Sequence, residues 1–473
     1  MKTKKLLVVT AFIACGFTAN AQDTIRMTFV EEEYYMYSKS FRIAATANEQ
    51  FIIDWGNGYD VDTVTGTGGL QTLIHTYNNH YTQYTITITG LTNDCAFTDF
   101  DCSSKKVTSL NVHNCPYLSN INCSNNLLTD LYVCNHPHFI SLNCSNNLLT
   151  DLQVCNCKQL RYLNCSNNKL TTLNVVSNSK LLGTLDCSNN QLTTLNVNNY
   201  PTEALICYGN QLTNLEVKGN NWLFTLNCSN NQLVDLDVSN CTRLQSLDCS
   251  NNQLINLDVS NCTGLRNLDY SNNQLTSLSL RKGVFTVICC YENHLQLSDL
   301  YNTYKALSSS GIGRLGTQRF ALREVKVLEL IDYTSQSEIA NISTIFKIEK
   351  NGMLASPNDY KVSSAGRIYF KDTGYYTVTM TNSAIVSQAS YPAQVIAEFN
   401  VVKDSVNIVT EVAGCELQVV SYEIFDILGR KIERCDVQGI RYEDIILSSY
   451  PSGLYIIQLQ TNKGIITKKI IKY

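Results

Sequence analysis

Between residues 102 and 295 the chain alternates short apolar runs with polar turns. The unit reads Leu-x-x-Leu-x-Cys-x-x-Asn-x-Leu, as in Leu244, Leu247, Cys249, Asn252 and Leu254, and a second alternation follows at Leu257 and Val259. Period two within each alternation puts Leu and Cys, then Leu and Val, on one side of two short strands. A longer period sets the architecture. Cys102, Cys123, Cys144, Cys165, Cys187, Cys207, Cys228, Cys249, Tyr270 and Cys290 fall in one column, spaced twenty to twenty-two residues apart. No coil of that length buries its apolar edge alone, so the coils are expected to stack into a solenoid of parallel strands ~4.8 Å apart, a rod of roughly 45 Å.

Two columns of the unit carry distinct physical roles. A thiol is a small, polarizable hydrophobe, so a buried ladder of cysteines lets a short coil close more tightly than leucine would. The asparagines Asn126, Asn147, Asn168, Asn190, Asn210, Asn231, Asn252, Asn273 and Asn293 fall where each coil leaves its strand. There a side-chain amide satisfies backbone groups of a tight buried turn, and removing one costs ~1–3 kcal/mol. These asparagines read as structural rather than catalytic.

The unit is that of a leucine-rich repeat with cysteine in a leucine slot, and it resembles the internalin J type of surface protein, whose coils carry a cysteine ladder. The resemblance covers about two hundred residues and implies a binding or adhesive surface on the concave face. Two positions depart from it: Tyr270 interrupts the ladder, and Lys105 stands where the first coil should have its asparagine.

Residues flanking the buried Leu and Cys are expected on that concave face. Most are polar: Asn122, Asn143, Asn164, Asp186, Asn227, Asp248 and Asp269. The exception is the coil with Ala204, Ile206 and Tyr208, close to Tyr162. Aromatic groups in a polar surface are common anchors of protein recognition, which makes these four the candidate partner-binding residues, against the plainer reading of a drifted coil. On the turn after the second strand the period stacks His113, Cys134 and Cys155 in one column and Cys115, His136 and Cys157 in the next. Cys134, His136, Cys155 and Cys157 are the candidate metal ligands, but their spacing matches no zinc motif, so a disulfide or free thiols rank above metal. Cys241 and Cys262 are vertical neighbours that could also be oxidised. No cofactor is implied.

The flanking segments are β-rich. Residues 22–95 resemble a PKD-type β-sandwich through Asp54, Trp55, Gly56, Gly58, His75, Tyr77, Tyr84, Ile86 and Ile88, with Asn57 replacing the family's Asp. A sandwich there would cover the open edge of the solenoid (96–295), which otherwise invites strand pairing with other chains. Leu300, Tyr304 and Leu307 recur at helical spacing and predict a helical cap over 296–316. Residues 317–405 read as an immunoglobulin-like sandwich in which Asp372, Gly374 and Tyr376 resemble a tyrosine corner. Residues 406–473 resemble the C-terminal sorting domain of type IX secretion cargo. That match is carried by Leu428, Gly429, Arg430, Pro451, Gly453, Tyr455, Lys468 and Lys469. The expected fold class is thus mainly β, a leucine-rich-repeat solenoid of 21-residue coils flanked by small β-sandwich domains.

Composition narrows the function. The 473 residues carry a formal net charge of only −4 with no clustering of lysine and arginine, which argues against nucleic acid or anionic lipid as partner. Residues 1–21 read as a signal peptide: Lys2, Lys4 and Lys5, an apolar run from Leu6 to Ala14, then Ala19 and Ala21 before the cut. A rival reading makes Cys15 a lipoprotein site, but Phe12 sits where an aliphatic residue is usual. No stretch is apolar for the ~20 residues of a transmembrane span. There is no convergent nucleophile, base and stabiliser, and no phosphate loop or metalloprotease motif, so the chain does not read as an enzyme. The sequence therefore leads to an exported protein on the outer surface of a Gram-negative bacterium. It is expected to use the type IX machinery and to bind a host or bacterial surface protein, as an adhesin in colonisation or biofilm. A glycan-binding or nutrient-capture module is the alternative, and a structural surface-layer component a third.

Overall fold

A computed structural model of the chain describes residues 22–30, 37–77, 83–174, 181–198, 201–403, 419–426, 430–436, 453–461 and 464–472. The signal-peptide reading, with Cys15, and the sorting-motif residues Leu428, Gly429 and Pro451 lie outside them. The chain divides into two compact units, one made of residues 1–289 with 308–311 and the other of the remainder.

In the first unit, one long sheet runs through Phe285–Cys289, Asn267–Asp269, Ser246–Asp248, Thr225–Asn227, Ala204–Ile206, Thr184–Asp186, Tyr162–Asn164, Ser141–Asn143, Asn120–Asn122 and Phe97–Asp101. All these strands are parallel and in register, with Leu163 beside Leu185, then Leu205, Leu226 and Leu247. The fold is a β-solenoid of stacked coils. Cys102, Cys123, Cys144, Cys165, Cys187, Cys207, Cys228 and Cys249 are wholly buried, and Tyr270 fills the same column without breaking it. The second alternation pairs as strands only in some coils, as at Asp130–Tyr132 with Asp151–Gln153 and Thr194–Asn196 with Asn214–Glu216. Elsewhere Leu236 and Val238, or Leu257 and Val259, stay buried without a ladder. There Asp237 and Asp258 accept the amides of Ser239 and Ser260, the same turn that Asn196 makes with Asn198 at the end of a paired strand.

The paired asparagines divide the work. The first of each pair (Asn125, Asn146, Asn167, Asn189, Asn230, Asn251 and Asn272) has φ of 52–56°, a left-handed backbone that asparagine tolerates better than most side chains. Gly209 takes that place at φ 66°. The second asparagine is buried and bonds across coils. Asn147 donates to the carbonyls of Cys123 and Cys144, both at 3.0 Å, and accepts the Leu128 amide at 3.0 Å. The first coil, which has Lys105 at this point, is served by its neighbour, because Asn126 accepts the amides of Lys105 and Val107.

The N-terminal residues close the solenoid's open edge on both faces. Thr24–Val30 pairs antiparallel with Val107–Asn111 of the first coil, while Tyr37–Ala45 pairs antiparallel with Phe97–Asp101. The residues of the PKD-like pattern pack together: Trp55 stacks on His75 at 4.8 Å, His75 meets Tyr77 edge-on, and the Tyr77 hydroxyl donates to the Trp55 carbonyl at 2.7 Å.

In the second unit the helix spans Leu297–Ala306, shorter than the sequence pattern implied; the strand that follows it, Leu307–Arg314, is divided between the two units. Ser308, Ser309, Ser310 and Gly311 are weak helix formers, which accounts for the early end. Gln318 takes the asparagine's part for the last coil. It donates to the carbonyls of Cys290 and Leu315 and accepts the amides of Asn293 and Leu295. Thr317–Arg319, Gln394–Val402, Gly374–Thr381, Ile345–Lys350 and Met353–Leu354 form one sheet, with Arg323–Lys326 also on Gln394–Val402. Arg367–Phe370 lies between Ile331–Asp332 and Tyr360–Val362 in a second. The Tyr376 hydroxyl donates to the Asp372 carbonyl at 3.1 Å, tying strand to loop. Val419–Phe425, Lys431–Asp436, Gly453–Thr461 and Gly464–Lys472 make a four-stranded antiparallel sheet. In it Tyr455 is buried, Arg430 pairs with Asp426 at 2.6 Å, and Lys468 and Lys469 belong to the last strand.

Candidate functional site: the face of the long sheet

Alternation sends every second residue of each three-residue strand inward, leaving two outer columns on the sheet face. The column after the buried Leu looked like a bland polar surface in sequence, but it is engaged in the turn. Asn122, Asn143, Asn164, Asp186, Asn227, Asp248 and Asp269 each accept the hydroxyl of the serine two residues on, at 2.6–2.8 Å. Each also accepts that serine's amide. Burial raises the pKa of Asp269 above the ordinary carboxylate value, while its bonds from Ser271 pull the other way. These side chains are half-buried and committed to their own turns.

Between Asp101 and Ser271 one coil lacks that pair. Ile206 stands for the Asn or Asp and Tyr208 for the serine, so both partners of the bond are replaced together. Ile206 lies beside Asp186 and Asn227 in register, and Ala204 beside Thr184 and Thr225. Tyr162, 37% exposed, is in the column of Ala204 two coils away. The four residues singled out in sequence therefore share one face, with Ala204, Ile206 and Tyr208 half-buried.

Sequence reasoning missed the neighbouring edge, because it examined only the residues flanking Leu and Cys. Phe224 lies one residue before its strand, and its amide donates to the Glu203 carbonyl at 2.7 Å, which brings it next to Ala204's coil. Trp222 and Phe224 are 48% and 39% exposed. The Arg243 guanidinium sits 4.8 Å from the Trp222 ring centroid and 5.9 Å from that of Phe224. In other coils the same two places hold residues as different as Tyr117, Ile140, Leu181, Gly183 and Arg266, so no column of the sequence singles the pair out.

The cysteine and histidine columns do not assemble as a metal site. Cys134 and Cys155 are joined in a disulfide between adjacent coils. Cys115, His136 and Cys157 point into the core rather than to the surface, each no more than 1% exposed. The Cys157 thiol donates to the Val133 carbonyl, and His136 Nδ1 lies 3.0 Å from the Cys115 carbonyl. Burial lowers the His136 pKa and raises that of Cys157 to about 11, so neither is poised as an ionised group near neutrality. Cys241 and Cys262 are free and buried. Among the described residues no three His, Cys, Asp or Glu side chains converge.

Residues 400–473 match the family model of the secretion system C-terminal sorting domain. No curated protein matches the chain. Among solved structures, the chain is similar to the functional domain of InlJ from Listeria monocytogenes, which includes a cysteine ladder. Identity is 19% over 64% of this chain and 90% of that one, with a TM-score of 0.40. YopM from Yersinia enterocolitica is 24% identical over 47% of this chain, which spans about half (52%) of YopM, with a TM-score of 0.35. The internalin InlF from L. monocytogenes is 17% identical over 47% of this chain and 80% of its own, with a TM-score of 0.32.

Proposed function

We propose that the protein is delivered through the type IX machinery to the outer surface of a Gram-negative cell, or released from it, and binds a protein partner through the face of its long sheet. Its role is then that of an adhesin in colonisation or biofilm formation. The observation that carries the reading is the coil of Cys207. Replacing both members of the Asx–Ser bond frees that stretch of the face from turn-making and sets Ile206 and Tyr208 in the coil of Ala204, with Tyr162 two coils away on the same face. The sorting domain at 400–473 supports export. An apolar and aromatic island in an otherwise polar, self-bonded face is the composition of a recognition centre.

Two experiments test it. Surface protease shaving followed by mass spectrometry compares cells expressing the intact chain with cells expressing a version truncated before Val406; only the intact chain should reach the surface. Adherence of those cells to host tissue or neighbouring bacteria should then fall when Ile206 and Tyr208 are both changed to Asp, with thermal unfolding of the purified chain unchanged. Undiminished adherence of that variant sinks the sheet-face assignment.

A further inference from the structure

We infer that the edge of the solenoid bearing Trp222, Phe224 and Arg243 docks an acidic, apolar-bearing peptide segment of the partner protein. The inference rests on the protein-binding reading above and adds the chemistry of what is bound.

Charge is segregated on this part of the molecule despite the small net value. In the turns that lead into the strands from Tyr162 to Asn267, the cations include Arg161, Arg243 and Arg266, and the single acid is Glu203. The acids lie elsewhere: Asp186, Asp248 and Asp269 on the sheet face, and Asp151, Asp235 and Asp258 on the second alternation. Arg161, Arg243 and Arg266 are all exposed, and none makes an ion pair with a described residue. The guanidinium of Arg266 donates only to its neighbour's carbonyl, that of Leu265. Glu203 lies between Arg161 and the other two, so the unpaired positive charge is concentrated at Arg243 and Arg266 on adjacent coils, where it is available to an anionic partner.

The aromatic pair supplies the second half of the recognition. Trp222 and Phe224 gain no core burial where they stand, and Arg243 rests over both rings. Packing against the rings limits the motion of the guanidinium, and its N–H groups remain available for a carboxylate. A sugar would stack on an open aromatic face, whereas the Arg243 guanidinium covers one face of Trp222 and approaches one of Phe224. A carboxylate beside a large apolar side chain satisfies both features, and a peptide carries both. The dimensions fit a short extended segment. The strands are in register, so Phe224 lies three coils from Arg161 and two from Arg266, roughly 14 Å and 10 Å at ~4.8 Å per coil. About seven extended residues span that edge at ~3.3 Å each.

The test is selection of short peptides from a random display library on the full chain, with the enriched peptides synthesised and titrated by fluorescence anisotropy. The expected winners place Asp or Glu next to Phe, Leu or Trp. They should bind at least tenfold more weakly to Arg243→Glu and to the double variant Trp222→Ala/Phe224→Ala, and more weakly at high salt. Arg243→Lys should fall between. The Ile206→Asp/Tyr208→Asp variant should bind them within about twofold of the parent, which separates this inference from the sheet-face reading. Selection without acidic enrichment overturns the inference, and so does binding indifferent to Arg243→Glu. If the acidic peptides lose affinity only on the Ile206/Tyr208 variant, the edge is excluded and the sheet face retained. If instead an acidic oligosaccharide binds through Arg243 and no peptide does, the edge is a glycan site and the inference fails. Urea midpoints of each variant, those at the exposed Trp222, Phe224 and Arg243 and those at the half-buried Ile206 and Tyr208, verify that the chain remains folded.

Discussion

The side-chain amide of Asn252 donates to the carbonyl of Cys228, one coil earlier, across 3.0 Å. It also donates to its own coil at Cys249, 3.1 Å away, and accepts the Leu233 amide at 3.0 Å. One buried side chain thus closes the turn of one coil and fastens it to the coil before. Changing Asn252 to Ala leaves the Leu233 amide buried without a partner, while the carbonyls of Cys228 and Cys249 keep their bonds from Asn231 and Asn273. We expect a loss of about 1–3 kcal/mol, read as a drop in the urea midpoint of the first unit. Gln253→Ala, at the exposed neighbouring position, should change it by less than about 0.5 kcal/mol.

The asparagine before it answers to a different constraint. Asn251 has φ 54°, and Gly209 occupies the equivalent place in its own coil at φ 66°. Asn251→Gly should therefore leave stability nearly unchanged, whereas Asn251→Val should cost about 1–2 kcal/mol, because a β-branched side chain crowds a left-handed backbone. Thermal unfolding of the two variants gives the comparison directly. Equal losses would mean that side-chain bonding, not backbone conformation, selects asparagine there.

The solenoid was legible because its period lies in residues that face the core. Leu247, Cys249 and Leu254 cannot be exchanged for polar groups without exposing the stack, so the pattern repeats with little noise. What escaped reading were bonds of short range. The pairing of Asp248 with Ser250 looks in sequence like two polar surface residues, although together they shape the turn. Their joint loss at Ile206 and Tyr208 shows in the sequence as a change in polarity, while the bond that is lost shows only in the structure. Trp222 and Phe224 went unread for another reason. Packing leaves their position unconstrained in every coil, so no column calls attention to it until exposure is measured.

The thiols should separate cleanly by reactivity. Burial pushes the Cys123 pKa up to about 12 and those of Cys144, Cys165, Cys187, Cys207, Cys228 and Cys249 well above the ordinary value of 9.0. With no thiolate and no access, none should react with iodoacetamide in the native chain at neutral pH. Peptide mapping should show them modified only after unfolding, and Cys134 and Cys155 only after unfolding and reduction. Changing Cys134 and Cys155 both to Ser removes a link of sequence separation 21. That change should cost about 3 kcal/mol. Labelling of ladder cysteines in the folded chain would contradict a closed, static stack.

Asp23 gives the N-terminal closure a dependence on pH. Its side chain is 7% exposed, and a carboxylate oxygen accepts the Phe97 amide at 2.9 Å. Desolvation is the larger influence and raises its pKa from 3.8 to about 6, with the Phe97 bond opposing the rise. A carboxyl whose folded pKa lies above the unfolded value favours the folded state when protonated. Its contribution is complete below about pH 4 and is lost as pH rises through about 6, a swing of up to ~3 kcal/mol. Strand Thr24–Val30, which closes the first coil, begins at the next residue, so the first unit should unfold more easily in urea at about pH 7.5 than at about pH 4 through this group. Asp23→Asn keeps an oxygen to accept the Phe97 amide but carries no charge. It should match the parent at about pH 4 and exceed it at about pH 7.5. If parent and variant instead run parallel across that range, Asp23 ionises without cost and the charged carboxylate must be hydrated in the folded chain.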